Sequence, residues 1–356
     1  MKNKIILYGA NGYTGKLIAQ KAKQDNIDIT LAGRNESSIV RMAEELGFKS
    51  ICFSLENVKE NPELLSPFDI LINCAGPFSL TAETMMKACL HSHCHYLDIT
   101  GEISIFEMGY DLHQAGKDKG IIICPGVGFD VIPTDCLAAR LKEELPDATE
   151  LTLAFESVGG KLSPGTTKTS IEGIAKGGRI RLNGKIKEVP LGYKSRNLDI
   201  GNGIKSFVTI PWGDVATAGF STGIKNIEVY IPLSKKKIKK LKWLNNFKWV
   251  LGIKFIQNYM KNKVDKNIKG PSDTERADSK TFVWGEISNG RKTMMGLFET
   301  ANGYDVTAEG ALSIATYIIQ NEIDSGYYTP SMLCGSRWIE DFSNTTSISI
   351  TKKNND

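Results

Sequence analysis

Histidine is scarce in this sequence, a C-x-x-C pair is missing, and no apolar run is long enough to cross a bilayer. Each absence removes a class of function. The seven cysteines (Cys52, Cys74, Cys89, Cys94, Cys124, Cys136 and Cys334) are odd in number and scattered, which fits reduced thiols better than a disulfide framework. Three of the four histidines, His91, His93 and His95, crowd around Cys94. They straddle the end of a predicted helix and the start of a predicted strand, and no second Cys/His cluster joins them, so no metal is expected. After Met1, Lys2, Asn3 and Lys4 the apolar stretch 5–8 is too short for a signal peptide and leads into glycine. No transmembrane helix is predicted, and a cytoplasmic location is the expectation. Acidic residues are missing from one long stretch: between Lys235 and Val264 there are ten lysines and no Asp or Glu. The net charge of +4 is therefore local, and it implies no nucleic-acid partner.

With 356 residues, 41% of them hydrophobic and 24% charged, the chain has material for two folded domains. Short apolar runs at 5–8, 29–32, 50–53, 69–74, 96–99 and 121–124 read as strands. Helical patterns at 15–24, 36–46, 58–65, 81–91 and 103–119 separate them. Apolar strands alternating with helices imply an α/β fold, a doubly wound parallel sheet of Rossmann type covered on both faces. The rhythm breaks after Pro125. From Thr149 the pattern is α+β on a mostly antiparallel sheet, with a strand at 150–157, short helices at 170–176 and 337–342, and a longer one at 307–320. Hairpins are expected at Asn183-Gly184 and Asn289-Gly290. The predicted organisation is a Rossmann domain at 1–130 and an α+β domain at 131–342, whose last helices could return to the first domain. A flexible tail at 343–356 would follow.

Gly9-Ala10-Asn11-Gly12-Tyr13-Thr14-Gly15 follows the first strand and opens a helix. A pyrophosphate needs backbone close to its oxygens, which glycine allows, and the positive end of a helix. Gly9 and Gly12 would supply the turn and the close approach, and Gly15 the packing of helix on sheet. A glycine triplet alone also suits a plain turn; the strand before and the helix after favour a dinucleotide. The second strand usually ends in an acid that holds both ribose hydroxyls of NAD, but here Gly33-Arg34-Asn35 stands in its place. Arg34 suits the 2′-phosphate of NADP(H), against the alternative of a merely solvated guanidinium. Ala75, Gly76 and Pro77 after the fourth strand, and Thr100 and Gly101 after the fifth, would border the nicotinamide.

Asp98 and Glu102 in the same region are candidate proton donors. Asp130 and Asp135 after Pro125-Gly126-Val127-Gly128 could serve likewise, but Asp130 or Thr134 reads more naturally as the cap of the following helix. Tyr259 and Lys263 match a Y-x-x-x-K spacing outside the Rossmann domain, where a chance match is the better reading. In residues 235–263, from Lys235 to Lys263, Leu241, Leu244, Phe247, Leu251, Phe255 and Tyr259 recur at helical spacing, with Trp243 and Trp249 nearby. Such a stripe among lysines either packs on the second domain or lies peripherally on an anionic membrane.

The ordered motifs YGANGYTG (8–15), AGRN (32–35), NCAGPF (73–78), HYLDITGE (95–102) and PGVGFDVIPTD (125–135) resemble the saccharopine dehydrogenase-like family of NADP-binding oxidoreductases. IPWGDVATAGFSTG (210–223), VWGEISN (283–289) and TPSMLCG (329–335) extend the resemblance over most of the chain, nearest to short bacterial members and trans-acting enoyl reductases. The resemblance implies a Rossmann domain, an α+β domain that shapes the substrate site and often a homodimer contact, and NADPH as hydride donor to a C=N or C=C bond. A glutamate-derived imine would demand cations; Arg179, Arg181, Arg196, Arg276 and Arg291 are available, with solvation as their default role. A small-molecule substrate is expected, its class unassigned, with a lipid-like one among the options. The alternative is a non-catalytic NADP-binding sensor or scaffold at a membrane.

Overall fold

Ile5, Ile6, Leu7 and Tyr8 leave a strand no polar face, and the strand they form (β1, Ile5–Tyr8) is buried along its whole length. Parallel neighbours flank it in the computed structural model, which describes residues 4–247, 253–268 and 270–353. On one side lie β2 (Ile29–Gly33) and β3 (Lys49–Cys52). On the other lie β4 (Ile70–Asn73), β5 (His95–Asp98) and β6 (Ile122–Cys124). The order 3-2-1-4-5-6 is the doubly wound one, in which the winding reverses between β1 and β4 and leaves a crevice at the carboxyl ends of the strands. The expected helix at 103–119 is two helices, Ile103–Asp111 and His113–Lys119, broken at Leu112.

The chain divides into two compact units, Met1–Ile132 with Gly303–Cys334, and Pro133–Asn302 with Gly335–Asp356. Gly303–Cys334 groups with the first unit. Helix Gly303–Gln320 buries Val306, Ala311, Leu312, Ile314 and Ala315, and packs on helix Tyr13–Gln24 of the first unit. Gly326–Tyr327 then pairs in parallel with β6 and becomes a seventh strand at that edge. Small residues along Gly303–Gln320 permit this close packing, and nothing in their periodicity names the partner.

The second unit is built on a sheet in the order β10 (Ser195–Asp199), β11 (Ile204–Ile210), β12 (Asn226–Pro232), β7 (Glu150–Val158), β13 (Lys280–Ser288), β14 (Thr293–Ala301). Strand β8 (Gly178–Leu182) pairs with both β12 and β9 (Lys185–Val189). All pairings are antiparallel except β12 with β7. Asn183 and Gly184 both take positive φ, as a tight hairpin requires. The β13–β14 turn is shifted by one residue from the expected pair: Asn289 N donates to Lys292 O at 3.2 Å, so the chain reverses over Gly290-Arg291, and Asn289 Oδ1 accepts from Arg291 N and Lys292 N. Gly285 and Gly296 face each other across these strands. A Cβ on either would meet Leu137 or Leu141, so the two glycines seat the helix Ile132–Glu144 on the sheet. The tail expected to fray contributes Ser349–Lys352 as an antiparallel edge strand on β14. Its polar composition suits an edge facing water, which is why composition alone read as disorder.

Candidate functional site

Strand β1 passes to helix Tyr13–Gln24 through the glycine loop. Gly9 takes φ +80°, and its amide and that of Ala10 donate to Ala32 O at 2.9 and 3.2 Å, which pins the loop to the end of β2. A Cβ on Gly9 would stand 2.8 Å from Ala75 N, and one on Gly15 would stand 2.5 Å from Gly9 O. Both positions are closed by packing. Gly12 differs: it caps the helix without any side-chain hydrogen bond, and, beyond its chain neighbours and its own helix, Gly9 O at 3.2 Å is the one atom of the described residues within 4 Å of where its Cβ would be. No acidic residue lies in that first turn. An anion can therefore approach the first-turn amides over Gly12, which fits a pyrophosphate. Thr14 is half-buried, and the Tyr13 ring meets Tyr304 edge-on at 4.9 Å, a partner that no local sequence signal announces.

Arg34 follows β2, is exposed, and makes no hydrogen bond or ion pair among the described residues. Its neighbour Asn35 is occupied, accepting from Ser38 N at 3.0 Å as cap of helix Glu36–Leu46. Asn11 Oδ1 lies 3.4 Å from where a Gly33 Cβ would stand, so its amide borders the same end of β2. The arrangement leaves a guanidinium available beside the ribose end of the crevice.

At the other side of the switch point, polar groups link three strand ends. Asn73 Nδ2 donates to Thr81 Oγ1 at 3.2 Å and to Tyr96 Oη at 3.4 Å, while Asn73 Oδ1 accepts from Ala75 N at 3.0 Å. This shapes the loop through Ala75, Gly76 and Pro77. Asp98 was expected as a proton donor, but it is wholly buried and accepts from Tyr96 Oη at 2.7 Å, Thr100 N at 3.0 Å and Gly126 N at 2.9 Å. Burial pushes its carboxyl up to about 6 against those hydrogen bonds. Two of these bonds tie together the loops after β5 and β6. Glu102, the other expected donor, accepts from Phe78 N at 2.8 Å and Ser79 N at 3.1 Å, and so caps helix Phe78–Ser92.

Asp130 reverses the sequence expectation in the other direction. It caps nothing: Val131 N and Ile132 N bond to Gly128 O, and the Asp130 carboxyl has no hydrogen-bond partner among the described residues. Thr134 lies inside helix Ile132–Glu144, not at its cap. A Cβ on Gly101 would stand 2.5 Å from Asp130 Oδ2, so the half-buried carboxyl lies against the loop that ends β5. Burial alone raises it to about 7. The signal available in sequence, an acid just before a helix, is also the signature of a cap, and it misled for that reason.

The remaining candidates separate. His93 Nδ1 contacts Lys119 O at 2.8 Å, His95 Nδ1 accepts from Ile122 N at 3.0 Å, and His91 points to Glu63 at 3.9 Å. Among the described residues no group of three or more His, Cys, Asp or Glu is placed to hold a metal. Tyr259 and Lys263 lie a turn apart on helix Lys254–Asn267 in the second unit. Four of the five arginines considered for carboxylate binding have internal partners: Arg179 with Glu188, Arg196 with Glu286, Arg276 with Asp273, and Arg181 with the carbonyls of Val215 and Gly184.

Residues 5–124 match the family model of the saccharopine dehydrogenase NADP binding domain. A human saccharopine dehydrogenase-like oxidoreductase is 24% identical over 215 residues, covering 52% of this chain and 50% of that protein. A Mycobacterium tuberculosis protein named for trans-acting enoyl reduction is 27% identical over 181 residues, covering 47% of this chain and 43% of that protein. The chain thus spans about half the length of the curated relatives it matches. The solved saccharopine dehydrogenase (L-Glu forming) of Saccharomyces cerevisiae shares the fold, with a TM-score of 0.68 over 99% of this chain and 100% of that one, at 11% identity. The first unit contains an NADP-binding domain of Rossmann type.

Proposed function

We propose, on the premise that this chain belongs to the saccharopine dehydrogenase-like family of NADP-binding oxidoreductases, that it is an NADPH-dependent reductase of a C=N or C=C bond in a small molecule. Bound NADPH supplies the hydride. The chain's residues hold it and manage the proton. Gly9 holds the turn against the loop after β4, and Gly12 admits the pyrophosphate to the head of helix Tyr13–Gln24. Arg34 grips the 2′-phosphate, with Asn11 beside it, and the loops through Ala75, Gly76, Pro77, Thr100 and Gly101 line the far half.

Reduction of a double bond also needs a proton on the atom that does not receive the hydride, an imine nitrogen or the α-carbon of an enoyl group. Asp130 is the group we assign to deliver it. The observation that carries the reading is its carboxyl, half-buried against Gly101, without a hydrogen-bond partner among the described residues, and raised to about 7. A group that populates both forms near neutrality can give up a proton and regain it.

NADPH carrying deuterium at the transferable position tests this against a panel of enoyl thioesters and imines. Deuterium should appear in one product class. Asp130→Asn should lower kcat by roughly 100-fold or more with little change in NADPH affinity. Tight NADPH binding with no deuterium transfer to either class would favour the sensor or scaffold reading. Full activity in Asp130→Asn would place the proton elsewhere.

A further inference from the structure

The lysine-rich stretch read from the sequence as one helical stripe folds as two helices within its described residues, and most of the aromatic side chains described there face water. Trp249 and Leu251 lie outside the described residues. In helix Lys235–Leu244 the buried side chain is Ile238. Leu241, beside Gly192, continues that inner face. Asn245 anchors it, accepting from Leu191 N at 2.8 Å and donating to Leu191 O at 3.1 Å. Helical periodicity then puts Lys236, Lys240 and Trp243 on the opposite, outer side, with Phe247 one turn further on. Trp243 is 56% exposed and Phe247 41%, and their rings pack against each other at 4.6 Å. Helix Lys254–Asn267 repeats the pattern: Val264 is buried, while Phe255 and Tyr259, one turn apart, are 79% and 62% exposed.

A solvated face explains lysines but not four rings presented to water beside them. Ten lysines and no acid between Lys235 and Val264 make the stretch complementary to an anionic partner. The stretch contains no arginine, the side chain that grips nucleic-acid phosphates and bases in bidentate fashion. Indole and phenyl rings among lysines suit the headgroup boundary of a bilayer, where rings enter and ammonium groups meet lipid phosphates. No helix among the described residues is long and apolar enough to cross a membrane, so such contact is peripheral. We propose that the outward sides of these two helices dock the protein on an anionic lipid surface. The inference is independent of the reductase reading, and it would bring that site to membrane-borne substrates.

The full chain, sedimented with phosphatidylcholine vesicles and with vesicles containing phosphatidylserine, tests the proposal. Binding is expected to the second kind only, and to be lost at high salt as screening shortens. Replacing Lys236 and Lys240 by Glu should weaken it roughly 30-fold or more, because each lysine near an anionic surface contributes to affinity. Trp243→Ser with Phe255→Ser should weaken it at least about tenfold while leaving the melting temperature and NADPH affinity unchanged. If the ring variant does not fold, the lysine pair decides the matter. No binding to phosphatidylserine vesicles, or binding indifferent to the lysine changes, overturns the proposal. So does self-association abolished by the ring variant, which would assign the face to a second copy, or lipid-independent capture of RNA by the same lysines.

Discussion

Replacing Asp130 with asparagine keeps the size of the side chain and removes its titration, so it isolates the energy of a carboxyl held without a hydrogen bond among the described residues. In the folded chain that carboxyl is raised from 3.8 to about 7 by burial. Between those two values the folded protein holds a proton that the unfolded chain has released. Its contribution to stability is therefore complete below about pH 4 and is lost as the pH rises to about 7. At about 1.4 kcal/mol per pH unit the full loss is about 4 kcal/mol, and the partial exposure of the side chain reduces it to roughly 2–4. Any packing cost of the amide is the same at every pH, so the informative quantity is the change in the difference between variant and wild type. From about pH 5 to about pH 8 that difference should move by roughly 2 kcal/mol in favour of Asp130→Asn. This corresponds to a relative shift in Tm of roughly 4–8 °C for a unit of this size. Thermal unfolding of both proteins across that pH range measures it. A difference that stays constant with pH would mean that Asp130 titrates alike in the folded and unfolded states, and would remove the reason for assigning it the proton.

Three further outcomes follow from the site. Arg34→Glu should weaken NADPH binding roughly 100-fold and leave NADH nearly unchanged, because the guanidinium is exposed and unpaired among the described residues; titration calorimetry with both cofactors checks it. Gly12→Val should abolish NADPH binding while the melting temperature stays close to wild type, since the new side chain meets Gly9 O at one point and otherwise fills the space an anion would use. Asp98→Ala should cost roughly 3 kcal/mol in urea unfolding at neutral pH, because it strands the buried Tyr96 hydroxyl and the amides of Thr100 and Gly126.

The parts of this protein that were legible in its sequence are those encoded by spacing within one element. The strands β1 to β6 announce themselves as apolar runs, and the glycine loop by its place between a strand and a helix. The seventh strand does not, because Gly326–Tyr327 is a two-residue pairing created by the return of the chain to β6. The same distinction sorts the carboxylates. Asp98 ends a strand and Glu102 and Asp130 follow strands at the same end of the sheet, and sequence position alone ranks the first two as proton donors. What separates them is the origin of their hydrogen-bond donors: Glu102 is held by amides at Phe78 and Ser79, and Asp98 by one at Gly126, all distant in sequence. Asp130 meets the apolar part of that environment without the donors. A carboxylate's hydrogen-bond environment is thus set by contacts that a one-dimensional pattern cannot carry. The lysine-rich stripe follows the same logic in reverse. Its periodicity was visible, but which of its side chains are covered depends on Leu191 and Gly192, more than forty residues earlier in the chain. Leu241 lies against that ground, and the outward rings of Trp243 and Phe247 are what it leaves exposed.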